Sequence, residues 1–161
     1  MTKYIATLSP VVAGFILISA AVCMLVPAGH ASAWNFTIAA PEIKPINGFF
    51  TIPASSLADG NARYFTYTHS PNQKIRFFAV KSRDGVVRAA FDACDVCYRA
   101  KKGYVQQGDA MVCVNCGMKF RTDKINEVSG GCNPAALNRS VKGDMIVISV
   151  NDVLAGVKYF Q

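Results

Sequence analysis

Histidine is scarce in this chain of 161 residues, and His69 is the sole histidine after Ala33. A lone histidine at the end of a predicted strand is more typical of a surface or structural position than of a metal ligand. The sequence also shows no general acid–base pair and no arrangement of a nucleophile with its base. We therefore favour a metal-binding or electron-transfer protein over an enzyme with an organic substrate.

The chain has few acidic residues, with 10 Asp and Glu against 17 Lys and Arg, for a net charge of +7. No basic stretch is interleaved with stacking aromatic side chains, as nucleic-acid binding would require. The charge therefore does not indicate a nucleic-acid partner. An anionic membrane surface or an acidic redox partner fits it better, and simple solubility accounts for it equally well.

One long hydrophobic run is present, at residues 11–26, with Lys3 before it and Ala31-Ser32-Ala33 after it. This order of a basic residue, an apolar run and small residues is typical of a secretory signal. The run is shorter than the roughly 20 residues of a spanning helix, although residues 11–29 could form a retained anchor. In both cases we expect an exported protein, either periplasmic or anchored on the outer face of the cytoplasmic membrane. We divide the chain into a signal or anchor (1–33), a linker (34–48) and a cysteine-rich metal-binding domain (49–161).

The exported part is predicted to be a small, β-rich α+β domain. Stretches rich in β-branched and aromatic residues predict strands at 49–53, 63–69, 74–80 and 86–93, and the last three form an antiparallel meander. Asp84-Gly85 is typical of a hairpin turn. A further hairpin is predicted at 104–113 and a strand at 144–150. Asn151 is the expected N-cap of a helix at 152–157.

Five of the six cysteines lie between residues 94 and 132. Cys94/Cys97 and Cys113/Cys116 form two C-x-x-C pairs, separated by the 15 residues 98–112. This spacing lies in the zinc-ribbon range and predicts two knuckles of the zinc-ribbon or rubredoxin type on one tetrahedral metal. Gly117 would relieve strain in the second knuckle. Four sulfurs are compatible with zinc, mononuclear iron or an iron–sulfur cluster.

Haem attachment and disulfide formation are two other possible uses of the cysteines. Covalent haem attachment is excluded, since Tyr98 and Gly117 stand where a histidine is needed. Disulfides are the structural alternative in an exported domain, but five cysteines leave one unpaired, and the small C-x-x-C loops would contribute little entropy. Cys132, after Gly130-Gly131, remains open as a fifth ligand, a replacement ligand, a free thiol or a buried turn residue.

Side chains near the knuckles have two interpretations each. Met111 and Met118 are expected in the core, although their soft sulfur would also suit Cu(I). Arg99, Lys101 and Lys102 would stabilise a negatively charged thiolate centre, or they form a solvated loop.

From residue 49 to residue 160 the chain resembles the bacterial FtrD-like family, membrane iron–sulfur proteins associated with ferrous-iron uptake. The residues that carry the resemblance are Arg76-Phe77-Phe78, Asp84-Gly85, residues 90–98, Gly103-Tyr104, residues 113–117, Phe120 and residues 130–134. It implies that iron or an iron–sulfur cluster is held by Cys94, Cys97, Cys113 and Cys116, with Cys132 a fifth candidate. It also implies a membrane iron permease and periplasmic iron-binding or cupredoxin-like proteins as partners, and a role in electron transfer during iron uptake.

The alternatives on the residues alone are a structural zinc-binding interaction module and a disulfide-stapled or copper-handling exported domain. The sequence contains no twin-arginine pair, so the unfolded chain would acquire its metal outside the cytoplasm. Zinc, copper or mononuclear iron are acquired there more easily than a preassembled cluster.

Overall fold

The computed structural model describes residues 40–161, so the predicted signal or anchor lies outside the described residues. The described part contains nine strands in three antiparallel sheets of three strands each. The strands are β1 Phe49–Pro53, β2 Arg63–Ser70, β3 Gln73–Lys81, β4 Val87–Phe91, β5 Tyr104–Gln107, β6 Ala110–Cys113, β7 Lys119–Arg121, β8 Ser140–Lys142 and β9 Met145–Ser149. The described residues contain one α-helix, α1 Val150–Leu154, and short 3-10 turns at Ala54–Leu57, Tyr98–Ala100, Thr122–Lys124 and Val157–Tyr159. The predicted β-rich antiparallel architecture is confirmed.

The predicted meander is the sheet β2-β3-β4. Its last strand, β4, ends at Phe91, whereas we predicted that it ends at residue 93. The carboxylate of Asp92 is buried there and accepts a 2.7 Å hydrogen bond from the backbone N–H of Tyr104. The backbone N–H of Asp92 still donates to the carbonyl of Arg76 in β3, and Cys94 lies in the loop beyond it.

The first and last strands of the domain form a second sheet, in the order β1-β9-β8. The helix that follows β9 begins earlier than predicted. Its N-cap is Ser149, not Asn151, since the Ser149 hydroxyl accepts a 3.0 Å hydrogen bond from the backbone N–H of Asp152. A serine hydroxyl is well suited to satisfy an amide of the first helical turn that has no partner within the helix.

Strand β3 separates two hydrophobic cores because successive side chains of a strand point to opposite faces. Phe77 and Ala79 pack in the larger core, with the β1-β9 side chains. Phe78 and Val80 pack in the smaller core, which also contains the buried cysteines Cys94 and Cys113. The cysteine region therefore lies against the fully buried residues 77–80 of β3, and each buried aromatic side chain there contributes about 1.5–3 kcal/mol of burial free energy.

Residues 40–48, which we interpreted as the end of a linker, contact the meander. The backbone N–H of Thr66 in β2 donates to the carbonyl of Pro41, and its carbonyl accepts from Ile43. Between residues 40 and 161, no helix has the length and apolar character needed to cross a membrane.

Candidate metal centre

Three loops bring five cysteines together. Cys94 and Cys97 follow β4, Cys113 ends β6, Cys116 lies in the turn to β7, and Cys132 lies in the loop before β8. All five are free thiols. The two C-x-x-C turns thus meet, as the spacing predicted, and Cys132 joins them from a distant part of the chain.

The five sulfurs form two overlapping groups. The Sγ atoms of Cys94, Cys97 and Cys132 all lie within 4.8 Å of one another, and so do those of Cys97, Cys113 and Cys116. Cys97 belongs to both groups, and its Sγ lies 3.9 Å from that of Cys132. The arrangement therefore differs from the single tetrahedral set of four that the sequence suggested.

The first knuckle has the expected contact between backbone and sulfur. The backbone N–H of Cys97 points at the Sγ of Cys94, at 3.1 Å. The chain then turns through Tyr98–Ala100 and passes Lys101, which has a left-handed backbone with φ of +53°. An amide directed at sulfur stabilises a thiolate, so this turn is organised for a negatively charged ligand.

The second knuckle closes on the predicted β5–β6 hairpin. The backbone N–H of Gly117 donates to the carbonyl of Cys113 at 2.8 Å, and that of Cys113 donates to the carbonyl of Met118 at 3.0 Å. Gly117 has a φ of +74°, which confirms the reason given for a glycine there. The short strand β7 that follows was missed, since only Phe120 between two basic residues signals it.

Cys132 is positioned by Tyr104, which we named for the family resemblance but not for this contact. The phenol of Tyr104 donates a 2.5 Å hydrogen bond to the backbone carbonyl of Cys132. Gly130 and Gly131 precede it with φ of +87° and +61°, conformations that residues with a Cβ rarely adopt. The two glycines therefore let the loop bend so that Cys132 can approach the other sulfurs.

The thiols differ in their surroundings. Cys94 and Cys113 are buried, whereas Cys116 is exposed. Burial raises the pKa of Cys113 to about 11 and that of Cys132 to about 12. A hydrogen bond from the backbone N–H of Met118 lowers the pKa of Cys116. Because metal ions bind thiolates, metal binding here would release protons from the buried thiols.

A cavity of about 200 Å³ lies beside the first knuckle, with Cys94 and Cys97 in its wall. Asp92 also lines it and lies 3.3 Å from a guanidinium nitrogen of Arg76. Burial raises the pKa of Asp92 to about 6, although Arg76 acts in the opposite direction. We included Asp92 in the family resemblance but gave it no role at the site; the available signal was a single acid inside the apolar run 89–94.

The other candidates divide between surface and core. Met111 is buried, as predicted, but Met118 is 54% exposed, so the prediction that it belongs to the core is wrong. Met118 contributes its backbone to the knuckle, and its side chain faces out of the turn. Arg99, Lys101 and Lys102 are exposed, and so is His69.

The fold and the sulfur cluster define a small β-rich domain with a candidate thiolate metal centre. Comparison with known families gives a match to the family described as membrane iron-sulfur containing protein FtrD-like, over residues 57–160. The chain therefore belongs to the FtrD-like family. It matches no curated protein and no solved structure.

Proposed function

We propose that this protein is an extracytoplasmic metal-binding protein that carries iron or an iron–sulfur centre and transfers electrons in an iron-uptake system. The observation that carries the proposal is the meeting of five free thiols from three separate loops in a member of the FtrD-like family. The proposed ligands are Cys94, Cys97, Cys113, Cys116 and Cys132.

The donor set fits this chemistry. Clustered thiolates are typical ligands of iron–sulfur clusters, zinc and Cu(I), and the thiols within each of the two groups of three are close enough to share a metal. When bound, iron would supply a one-electron redox couple. The residues of this chain would hold it, exclude bulk water on the side of the buried Cys94 and Cys113, and leave the exposed Cys116 toward solvent.

Three exposed apolar side chains lie within or next to the two C-x-x-C turns, and we name them the cysteine edge. It consists of Val96, Val114 and Met118, which are 62%, 46% and 54% exposed. Val96 and Val114 lie inside the two C-x-x-C turns, so they flank the sulfurs directly. Apolar side chains around an exposed redox centre suit the close, partly dry contact that a docking protein makes.

Basic residues stand next to the cysteine edge and favour an acidic partner. They are Arg99, Lys101, Lys102 and Lys119. Among the residues that the structure describes, none of these four forms an ion pair with an acid. Asp95, the acid of the first knuckle, instead accepts a hydrogen bond from the Tyr159 hydroxyl at 2.7 Å. Unpaired cations around an apolar centre steer an acidic protein to that face.

The proposed partners are a membrane iron permease and periplasmic iron-binding or cupredoxin-like proteins. The proposed location is outside the cytoplasm, with membrane association through residues 11–29. The uncharged run with its preceding lysine supports this location, and so does a family described as membrane proteins.

Metal analysis of the exported chain tests the proposal. We expect bound iron and visible charge-transfer bands that bleach with dithionite. Cys97→Ser, which removes the thiol common to both sulfur groups, should lose both, whereas Ser129→Ala, an exposed change in the Cys132 loop, should keep both.

Three results would contradict the proposal. A colourless protein with zinc would indicate a structural interaction module. Bound copper would indicate copper handling, and blocked thiols in metal-free protein would indicate a disulfide-stapled domain.

A further inference from the structure

The sulfur positions set a limit on what one ion can bind. A metal–sulfur bond is about 2.3 Å long, so two sulfurs on the same ion lie within about 4.6 Å of each other. Within residues 40–161, the sulfur groups whose members all lie within 4.8 Å of one another are the two triplets that share Cys97. Each triplet can surround one ion, but the four knuckle sulfurs do not form such a group.

We propose that the centre holds two thiophilic metal ions and that the thiolate of Cys97 is shared between them. One ion takes Cys94, Cys97 and Cys132, and the other takes Cys97, Cys113 and Cys116. The inference rests on the proposed function only in requiring that the thiols bind metal. It adds the number of ions, the division of the ligands and a distinct role for Cys97.

Charge favours two ions over one. Five thiolates around a single divalent ion leave three negative charges, whereas two divalent ions leave one. Cys94 and Cys113 are 1% and 2% exposed, and uncompensated charge in such a place is costly. The neighbouring cations Lys101 and Lys102 are exposed, so solvent weakens their compensation.

The local structure explains why Cys97 is the shared ligand. It stands between the two other pairs, with the Sγ of Cys132 at 3.9 Å on one side and both sulfurs of the second knuckle within 4.8 Å on the other. A bridging thiolate binds two ions at once, so its removal affects both, whereas removal of Cys116 or Cys132 affects one.

Titration of the reduced, metal-free full-length chain with Co(II), without oxygen, counts the ions. We expect the sulfur-to-cobalt absorption to rise to an endpoint at two equivalents, and native mass spectrometry to show two ions per chain. Replacement by ¹¹³Cd should give two NMR resonances that are coupled through the shared sulfur.

Serine variants test the division of ligands. Cys116→Ser and Cys132→Ser should each retain one tightly bound ion. Cys97→Ser should weaken both sites and abolish the cadmium–cadmium coupling. Cys23→Ser, outside the described residues, is the matched control and should keep two ions. Circular dichroism checks the fold, and the wild-type coupling remains decisive if Cys97→Ser does not fold.

The possible outcomes separate this inference from the proposed function. An endpoint at one equivalent, or two resonances without coupling, overturns the shared-ion arrangement and leaves a metal-binding protein. Two coupled ions in Cys97→Ser overturn the role of Cys97. Absence of any bound metal overturns both proposals.

Discussion

Gly103 is the position where one methyl group should damage the candidate centre most. A Cβ at Gly103 would lie 2.6 Å from Cγ of Asp92 and also clash with its carboxylate oxygens. The Asp92 side chain is 3% exposed and cannot move into solvent without breaking its hydrogen bond to Tyr104. The carbonyl of Gly103 also accepts from the backbone N–H of Val114 in the second knuckle. Gly103→Ala should therefore disturb both knuckles.

The magnitude follows from two costs. Alanine at the φ of +66° found at Gly103 costs about 1–2 kcal/mol. Displacing Asp92 loses a hydrogen bond to a charged group, about 1.5–3 kcal/mol. We expect Gly103→Ala to lower the free energy of unfolding by about 2.5–5 kcal/mol in urea titrations, and to reduce the bound metal.

Gly108 provides the matched control. Its φ is +56°, and a Cβ there would have no atom within 4 Å, so Gly108→Ala carries only the backbone cost of about 1–2 kcal/mol. The reasoning would be refuted if the two variants unfolded within about 0.5 kcal/mol of each other, the usual error of such differences, or if both kept full metal content.

Three further predictions concern Cys132, the Asp84 turn and the metal. Tyr104→Phe removes the hydroxyl that binds the Cys132 carbonyl; it should cost about 1 kcal/mol and speed alkylation of Cys132 in metal-free protein, and an unchanged rate would argue against positioning. A hydrogen bond from Arg88 lowers the pKa of Asp84, so Asp84 stabilises the fold above its unfolded pKa of about 3.9, and this contribution is lost as pH falls. Asp84→Asn should lower the free energy of unfolding at pH 7 and make it fall less steeply as the pH is lowered. The control is Asp144→Asn, since the Asp144 carboxylate has no ion pair among the described residues. It should change neither quantity. Removing the metal with a chelator should lower the melting temperature. If the free metal concentration had been 100 times the dissociation constant, the lost stabilisation is about 2.7 kcal/mol. An unchanged melting temperature would exclude coupling between metal binding and folding.

Local features of the fold were readable from the sequence. β-Branched and aromatic residues identify β2 and β3, and Asp84-Gly85 identifies the turn from β3 to β4, because these preferences act within a few residues. Gly117 was assigned correctly because the constraint that it relieves lies within one turn. The proximity of the two C-x-x-C pairs was also predictable, since their spacing is typical of a shared centre.

Long-range packing decided the rest. The sequence does not show that β1 pairs with β9, that Asp92 binds the backbone of Tyr104, or that Tyr104 holds the Cys132 loop. Each of these contacts joins segments that are distant along the chain, and their geometry depends on how the sheets pack. The sequence by itself established which side chains could bind a metal. The tertiary structure decided how the sulfurs are grouped, because the separation of Sγ atoms on three different loops is set by the core beneath them.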